Sequence, residues 1–239
     1  MHLFSINCLI CEIKLKKNLN NYKYYLCEDC LAKLDFKNHD ISYFKIKNTN
    51  TNTNTNTNTN TNIQNIDRVF YISKYTEHSA KLLKPYKFNK SFYHARVLCN
   101  LLKNNLIKFN SNSNFNSDDI VKIDVIIPVP LDRVKLLKRG FNQVVPFAKV
   151  LADFYKSKLL LNALKKTKVT SSQVGLSAVQ RKLNLSGVFS INKKKIKGVK
   201  RVLLVDDVMT TGSTANSIAK VLKSAGIEEV YVFVLMKVE

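Results

Sequence analysis

The stretch at residues 201–214, RVLLVDDVMTTGST, constrains this chain more than any other. Val202, Leu203, Leu204 and Val205 form an uninterrupted apolar run with a β-branched valine at each end, which predicts a strand buried on both faces of a parallel sheet. Asp206 and Asp207 close that strand, and Thr210, Thr211, Gly212, Ser213 and Thr214 open the next element. Ile218, Ala219, Val221, Leu222 and Ala225 then recur at helical spacing until Gly226 stops the helix. The order is strand, acidic pair, small-residue loop, helix, and it predicts an α/β fold with a parallel sheet flanked by helices.

A loop of this kind presents unpaired backbone N–H groups at a helix N-terminus, where the helix dipole adds positive potential and the hydroxyls add further donors. That combination suits a phosphate. Asp206 and Asp207 would repel the phosphate if they faced it, so their targets are neighbouring hydroxyls or a hydrated metal ion on the same ligand. A phosphorylated sugar with a free diol satisfies both requirements.

Near the N-terminus, Cys8 and Cys11, then fifteen intervening residues, then Cys27 and Cys30 give two C-x2-C pairs. This spacing predicts a zinc ribbon, in which two knuckles present four thiolates tetrahedrally to one structural Zn2+. A redox dithiol fits two matched pairs poorly, and disulfides fit a cytoplasmic chain poorly. The fifth cysteine, Cys99, sits in an apolar helical stretch and reads as a small core residue.

Residues 48–62 are a Thr-Asn dipeptide repeat with no apolar face and no charge, which predicts a disordered insertion without a chemical role. The net charge of +22 permits polyanion binding. Only 6 of the 39 basic residues are Arg, however, and the planar Arg is the residue favoured for reading phosphates and bases. No apolar run approaches the roughly 18 residues of a membrane span, and residues 1–11 lack the pattern of a signal peptide. A soluble, cytoplasmic protein without membrane insertion is expected.

Between these landmarks, residues 69–72 read as a strand, and 75–87 and 91–106 as helices split near Pro85 and Asn89. Residues 123–127 read as a strand ended by Pro128 and Pro130. The stretch 131–143 that follows is dense in cations, including Arg133 and Arg139, at the sheet edge where ligands of open α/β sheets sit. It is either a solvated surface or a receiver of pyrophosphate. Residues 142–155 read as a helix and 158–164 as strand-like. The polar stretch 165–187 reads as a mobile lid carrying Lys165, Lys166, Lys168 and Arg181. The last strand is 230–236.

Four apolar residues, two acids and a Thr-Thr-Gly-Ser-Thr loop resemble the phosphoribosyl pyrophosphate motif of type I phosphoribosyltransferases. PVPL at 128–131, RGFNQ at 139–143, the spacing of Thr167, Gln173 and Leu176, and Arg181 with Asn184 and Gly187 are together similar to the ComF family. That family joins an N-terminal zinc ribbon to a type I phosphoribosyltransferase domain. Outside the insertion at 48–62, which the resemblance does not cover, three segments are expected: a ribbon at 1–47, a helical hood or connector at 63–120 and a phosphoribosyltransferase-like domain at 121–239. It implies that Asp206 and Asp207 engage the ribose 2'- and 3'-hydroxyls. Val208, Met209, Thr210, Thr211, Gly212, Ser213 and Thr214 would wrap the 5'-phosphate. Where purine-salvage members carry an Asp, this chain has Thr210. The pyrophosphate would fall to the backbone around Val129, Pro130, Leu131 and Asp132, to Arg133 and Arg139, and to Mg2+ arriving with the ligand, and closure of the lid from Lys165 to Asn184 would exclude water and bring a cation such as Lys165 forward. Family members are associated with DNA uptake and natural transformation. Two readings follow: a phosphoribosyltransferase, or a non-catalytic module binding phosphoribosyl pyrophosphate, single-stranded DNA and competence proteins.

Overall fold

A computed structural model of the protein describes residues 6–15, 25–34, 42–45, 63–111, 122–167 and 187–238. The Thr-Asn repeat and most of the polar stretch read as a lid, residues 168–186, lie outside them. Two nine-residue strands, β7 (Arg201–Met209) and β8 (Glu229–Lys237), form the centre of the sheet. Their apolar runs are buried on both faces, as parallel pairing beneath two helix layers requires. β8 pairs with β2 (Arg68–Lys74), and β7 pairs with β3 (Val125–Pro128), which pairs with the two-residue β4 (Lys158–Leu159); all these pairs are parallel. β1 (Ser42–Lys45) adds an antiparallel edge, giving the order β1-β2-β8-β7-β3-β4.

One helical layer contains α2 (Glu77–Asn89), α3 (Phe92–Ser111) and α5 (Val145–Tyr155). Leu82, Leu83, Leu98 and Phe147 meet Phe70, Ile72, Leu203 and Val205 of the sheet. Pro85 lies inside α2 and does not end it; the break falls at Lys90, whose φ of 54° closes the helix. A capping box between Thr76 and Ser79 fixes the other end of α2. The opposite layer contains α6 (Ser213–Ser224), whose Ile218, Ala219 and Leu222 pack on Val202, Leu204 and Val232.

The cation-dense run is a short helix, α4 (Arg133–Arg139). Its local signals are its caps: Asp132 accepts from the Lys135 N–H at 2.8 Å, and Gly140 at φ 82° takes the left-handed closing position. None of its residues is buried, so no apolar stripe announced it. The segment expected as one strand at 158–164 divides instead. β4 joins the main sheet, while β5 (Leu164–Lys166) forms a separate antiparallel hairpin with β6 (Phe189–Ile191).

The cysteine module packs into the same core as the first helical layer. Cys8, Leu26, Cys30 and Leu34 share one apolar cluster with Leu82, Leu83 and Leu98. The Ser73 hydroxyl donates to the Leu34 carbonyl at 2.8 Å, and buried His94 of α3 bonds Ser91 and the Leu9 backbone.

Candidate functional site

The strand expected to end at the acids continues through them to Met209. Register with β8 is kept, with Asp206 opposite Val234 and Met209 opposite Lys237. Successive side chains of a strand leave opposite faces, so two adjacent acids within one strand separate. Asp206 lines a concavity with Val208, Met209, Thr210, Thr211, Gly212, Ser213 and Thr214. Asp207 is buried and bound from the other layer: its Oδ2 accepts from the Lys87 ammonium at 2.8 Å and from Gln143 Nε2 at 2.7 Å.

The half-buried Asp206 accepts from the Asp207 N–H at 2.8 Å. Burial, and then the negative charge of Asp207, push its carboxyl up to about 7 against the pull of that N–H and of Lys87. Such a carboxylate changes charge near neutrality, which is characteristic of functional acids.

The loop turns at Gly212, whose φ of 72° places it as the left-handed residue before α6. Gly212 supplies no capping side chain; the Thr211 hydroxyl lies 2.7 Å from the Ser213 hydroxyl and 3.4 Å from the Ser213 N–H. The first turn of α6 therefore presents backbone donors to an anion, and the hydroxyl residues Thr210, Thr211, Ser213 and Thr214 line the same concavity. A methyl group at Gly212 would sit 2.8 Å from Ile63 Cδ1 in a backbone conformation unfavourable to L side chains. Gly212→Ala is expected to cost about 1–3 kcal/mol. Thermal unfolding checks this, and an unchanged melting temperature would show that the turn relaxes without strain.

Across the edge, the Val129 N–H donates to the Val205 carbonyl at 2.8 Å, and Asn142 Nδ2 donates to the Val129 carbonyl at 3.0 Å. These bonds fix the start of the loop Val129, Pro130, Leu131. Asp132 is 2% exposed, with Lys135 and Lys166 ammoniums at 3.4 and 3.5 Å. Burial alone would raise its pKa, but the Lys135 N–H and both ammoniums outweigh that and hold it below the usual carboxylate range. Lys165 points to solvent on β5, whereas Lys166, one residue on, is half-buried against Asp132. Arg133 is exposed at the start of α4. Arg139 donates to Gln143 Oε1 and lies 5.5 Å over the Phe88 ring. Lys87 and Gln143 are thus the site-edge groups that motif reading left without a role, while Lys166, expected as a lid cation, is paired with Asp132. Gln143 was within reach, since it ends the RGFNQ motif; Lys87 lies 120 positions before Asp207 and carries no local signal.

The four cysteines form a second centre. The Sγ atoms of Cys8, Cys11, Cys27 and Cys30 all lie within 4.8 Å of one another, and those of Cys11 and Cys27 are 3.6 Å apart. Tetrahedral thiolates at about 2.3 Å from zinc have sulfurs roughly 3.8 Å apart, so this donor set could bind a zinc ion. Cys27 caps α1 (Glu28–Lys33), its Sγ accepting from the Cys30 N–H at 3.4 Å. Burial raises Cys27 and Cys30, whereas backbone N–H groups overcome burial at Cys8 and bring it down to about 7. A cation would take the place of the protons that these crowded thiols otherwise retain.

Among the described residues, no helix is long and apolar enough to cross a membrane. The family model described as "Phosphoribosyl transferase domain" matches residues 106–239. The chain is 35% identical to Competence protein F of Haemophilus influenzae, over 72% of this chain and 73% of that protein. It is 29% identical to the DNA utilization protein YhgH of Escherichia coli K12, over 71% and 72% of the two chains. It is also 29% identical to Competence protein ComFC of Streptococcus pneumoniae, over 70% and 66%. With its parallel sheet, its acid-and-hydroxyl loop and its N-terminal cysteine cluster, the chain belongs to the phosphoribosyl transferase domain family and, within it, to the ComF proteins.

Proposed function

We propose that the protein binds phosphoribosyl pyrophosphate with Mg2+ and transfers its ribosyl group in a process linked to DNA uptake. One observation carries this reading: Asp206 and the uncapped start of α6 line the same concavity, so a carboxylate for hydroxyls and donors for a phosphate are presented together. Met209, Thr210, Thr211, Gly212, Ser213 and Thr214 would hold the 5'-phosphate, and Asp206 would accept hydrogen bonds from the ribose diol. As the acceptor attacks C1, the C1–O bond to pyrophosphate breaks and its electron pair leaves with the pyrophosphate. The protein must then stabilise negative charge on the departing group. In this reading the backbone N–H of Leu131, with Arg133, Arg139 and Lys166, would supply donors at that edge, while the bond from the Val129 N–H to the Val205 carbonyl holds the start of the loop. Mg2+ arriving on the pyrophosphate would neutralise part of its charge. Zinc at the four cysteines is structural in this reading. The names of the relatives, Competence protein F and DNA utilization protein YhgH, support the link to DNA.

A second, non-catalytic reading has its own support. Phe88 and Phe92 are each 69% exposed, Phe92 lies 5.8 Å from the Phe141 ring, and Arg139 covers Phe88. Exposed rings among cations suit the stacking of single-stranded nucleic acid. Titration calorimetry with phosphoribosyl pyrophosphate and Mg2+, followed by assay of pyrophosphate release over bases, nucleosides and oligonucleotides, separates the two. Binding with release supports the transferase. Binding without release, together with salt-sensitive oligonucleotide affinity, supports the second reading. A doubly neutralised Asp206→Asn, Asp207→Asn protein that binds the sugar as tightly as wild type at fixed Mg2+ removes the basis of the transferase reading.

A further inference from the structure

Three consecutive residues at the end of α2 grip the arm behind the acid pair. The Tyr86 hydroxyl donates to the Gln143 backbone carbonyl at 2.9 Å, Lys87 pairs with Asp207 at 2.8 Å, and Phe88 lies beneath the Arg139 guanidinium at 5.5 Å. Gln143 joins these contacts: its Nε2 donates to Asp207 at 2.7 Å and its Oε1 accepts from Arg139. The amide orientation is therefore defined, since exchanging its oxygen and nitrogen would set acceptor against acceptor and donor against donor. Asp207 is 5% exposed and the Lys87 side chain 18%, so their charges attract across little water.

We propose that Lys87 is a positioning residue of the sugar-phosphate site: it neutralises Asp207 and fixes it, with Gln143, on the far face of the sheet, leaving Asp206 to meet the ligand. The inference rests on the phosphoribosyl pyrophosphate reading above and assigns different tasks to the two acids. Two neighbouring carboxylates without a cation would repel a ligand that carries phosphates at both ends. Lys87 cancels one of those charges from behind, and it keeps Gln143 aligned to carry Arg139 to the rim.

The test uses full-length protein with zinc present, calorimetric titration with phosphoribosyl pyrophosphate at fixed Mg2+, and a melting temperature for each variant. Lys87→Met is expected to weaken binding roughly tenfold, and Lys87→Arg to restore most of it, since a guanidinium still pairs with the carboxylate. Once Asp207→Asn has removed the charge, adding Lys87→Met should change affinity by less than about threefold, the non-additivity expected of residues acting through one another. The melting temperature should follow the same cycle: Lys87→Met lowers it, and the double variant recovers part of the loss because no unpaired carboxylate stays buried. Wild-type affinity in Lys87→Met, or effects that multiply in the double variant, overturns the assignment of Lys87 alone. A wild-type protein with no affinity for the ligand overturns the functional reading, and this inference with it, whatever the melting cycle shows.

Discussion

Stripping metal from the four-cysteine cluster with a strong chelator is expected to lower the melting temperature of the whole protein by roughly 10 °C, not merely to loosen its N-terminus. The reason is where the cysteines lie. Cys8 and Cys30 are 1% and 3% exposed, and with Leu26 and Leu34 they sit in the same apolar cluster as Leu82, Leu83, Leu98 and Phe147. Each large apolar side chain that loses burial costs about 1.5–3 kcal/mol, so even partial release of Leu26, Leu34 and their partners reaches several kcal/mol. Cys30→Ser should behave like the chelated wild type, because it removes one ligand without removing the surrounding packing. Zinc content and thermal unfolding, measured on the same samples, check this. Full loss of zinc with an unchanged melting temperature would mean that the cysteine module is an independent appendage.

Asp206→Asn is expected to make the protein more stable and less able to bind. The folded-state pKa of Asp206, about 7, lies above its ordinary value of 3.8. A raised value means that the folded chain holds a proton which the unfolded chain releases. This site's contribution to stability is therefore complete below about pH 4 and is lost as pH rises through about 7. Above that pH, a half-buried charge beside Asp207 opposes folding. Removing it should stabilise the protein by about 1–3 kcal/mol at pH 8 and by almost nothing at pH 4. The same change should weaken phosphoribosyl pyrophosphate binding by roughly 10- to 100-fold, the range for losing a hydrogen bond to a charged group. Thermal unfolding at the two pH values, paired with calorimetric titration, tests both halves. A variant that is destabilised at pH 8 shows that Asp206 serves packing and not a ligand.

The central strand, the turn at Gly212 and helix α6 were legible because each has a local cause: an uninterrupted apolar run, a glycine able to take φ 72°, and apolar residues at helical spacing. The cysteine spacing likewise matched a geometry that two knuckles can satisfy. Contacts assembled from distant segments were not legible. The pair Asp206-Asp207 looks like one acidic feature in sequence, but pairing with β8 carries strand geometry through it and divides it between two faces. Parity also separates Lys165 from Lys166: a lysine-rich run does not show which side chain turns inward, and hairpin β5–β6 sets that choice. α4 could be foreseen only from its caps, because it buries nothing and so leaves no periodic mark.

The antiparallel pair β1–β2 aligns Lys45 with Arg68, and the whole Thr-Asn repeat falls between those two positions. The entropic penalty for joining two fixed ends rises only with the logarithm of the intervening length, about 0.6 kcal/mol for a doubling. Copies of the dipeptide can therefore be gained or lost at this point with little thermodynamic consequence.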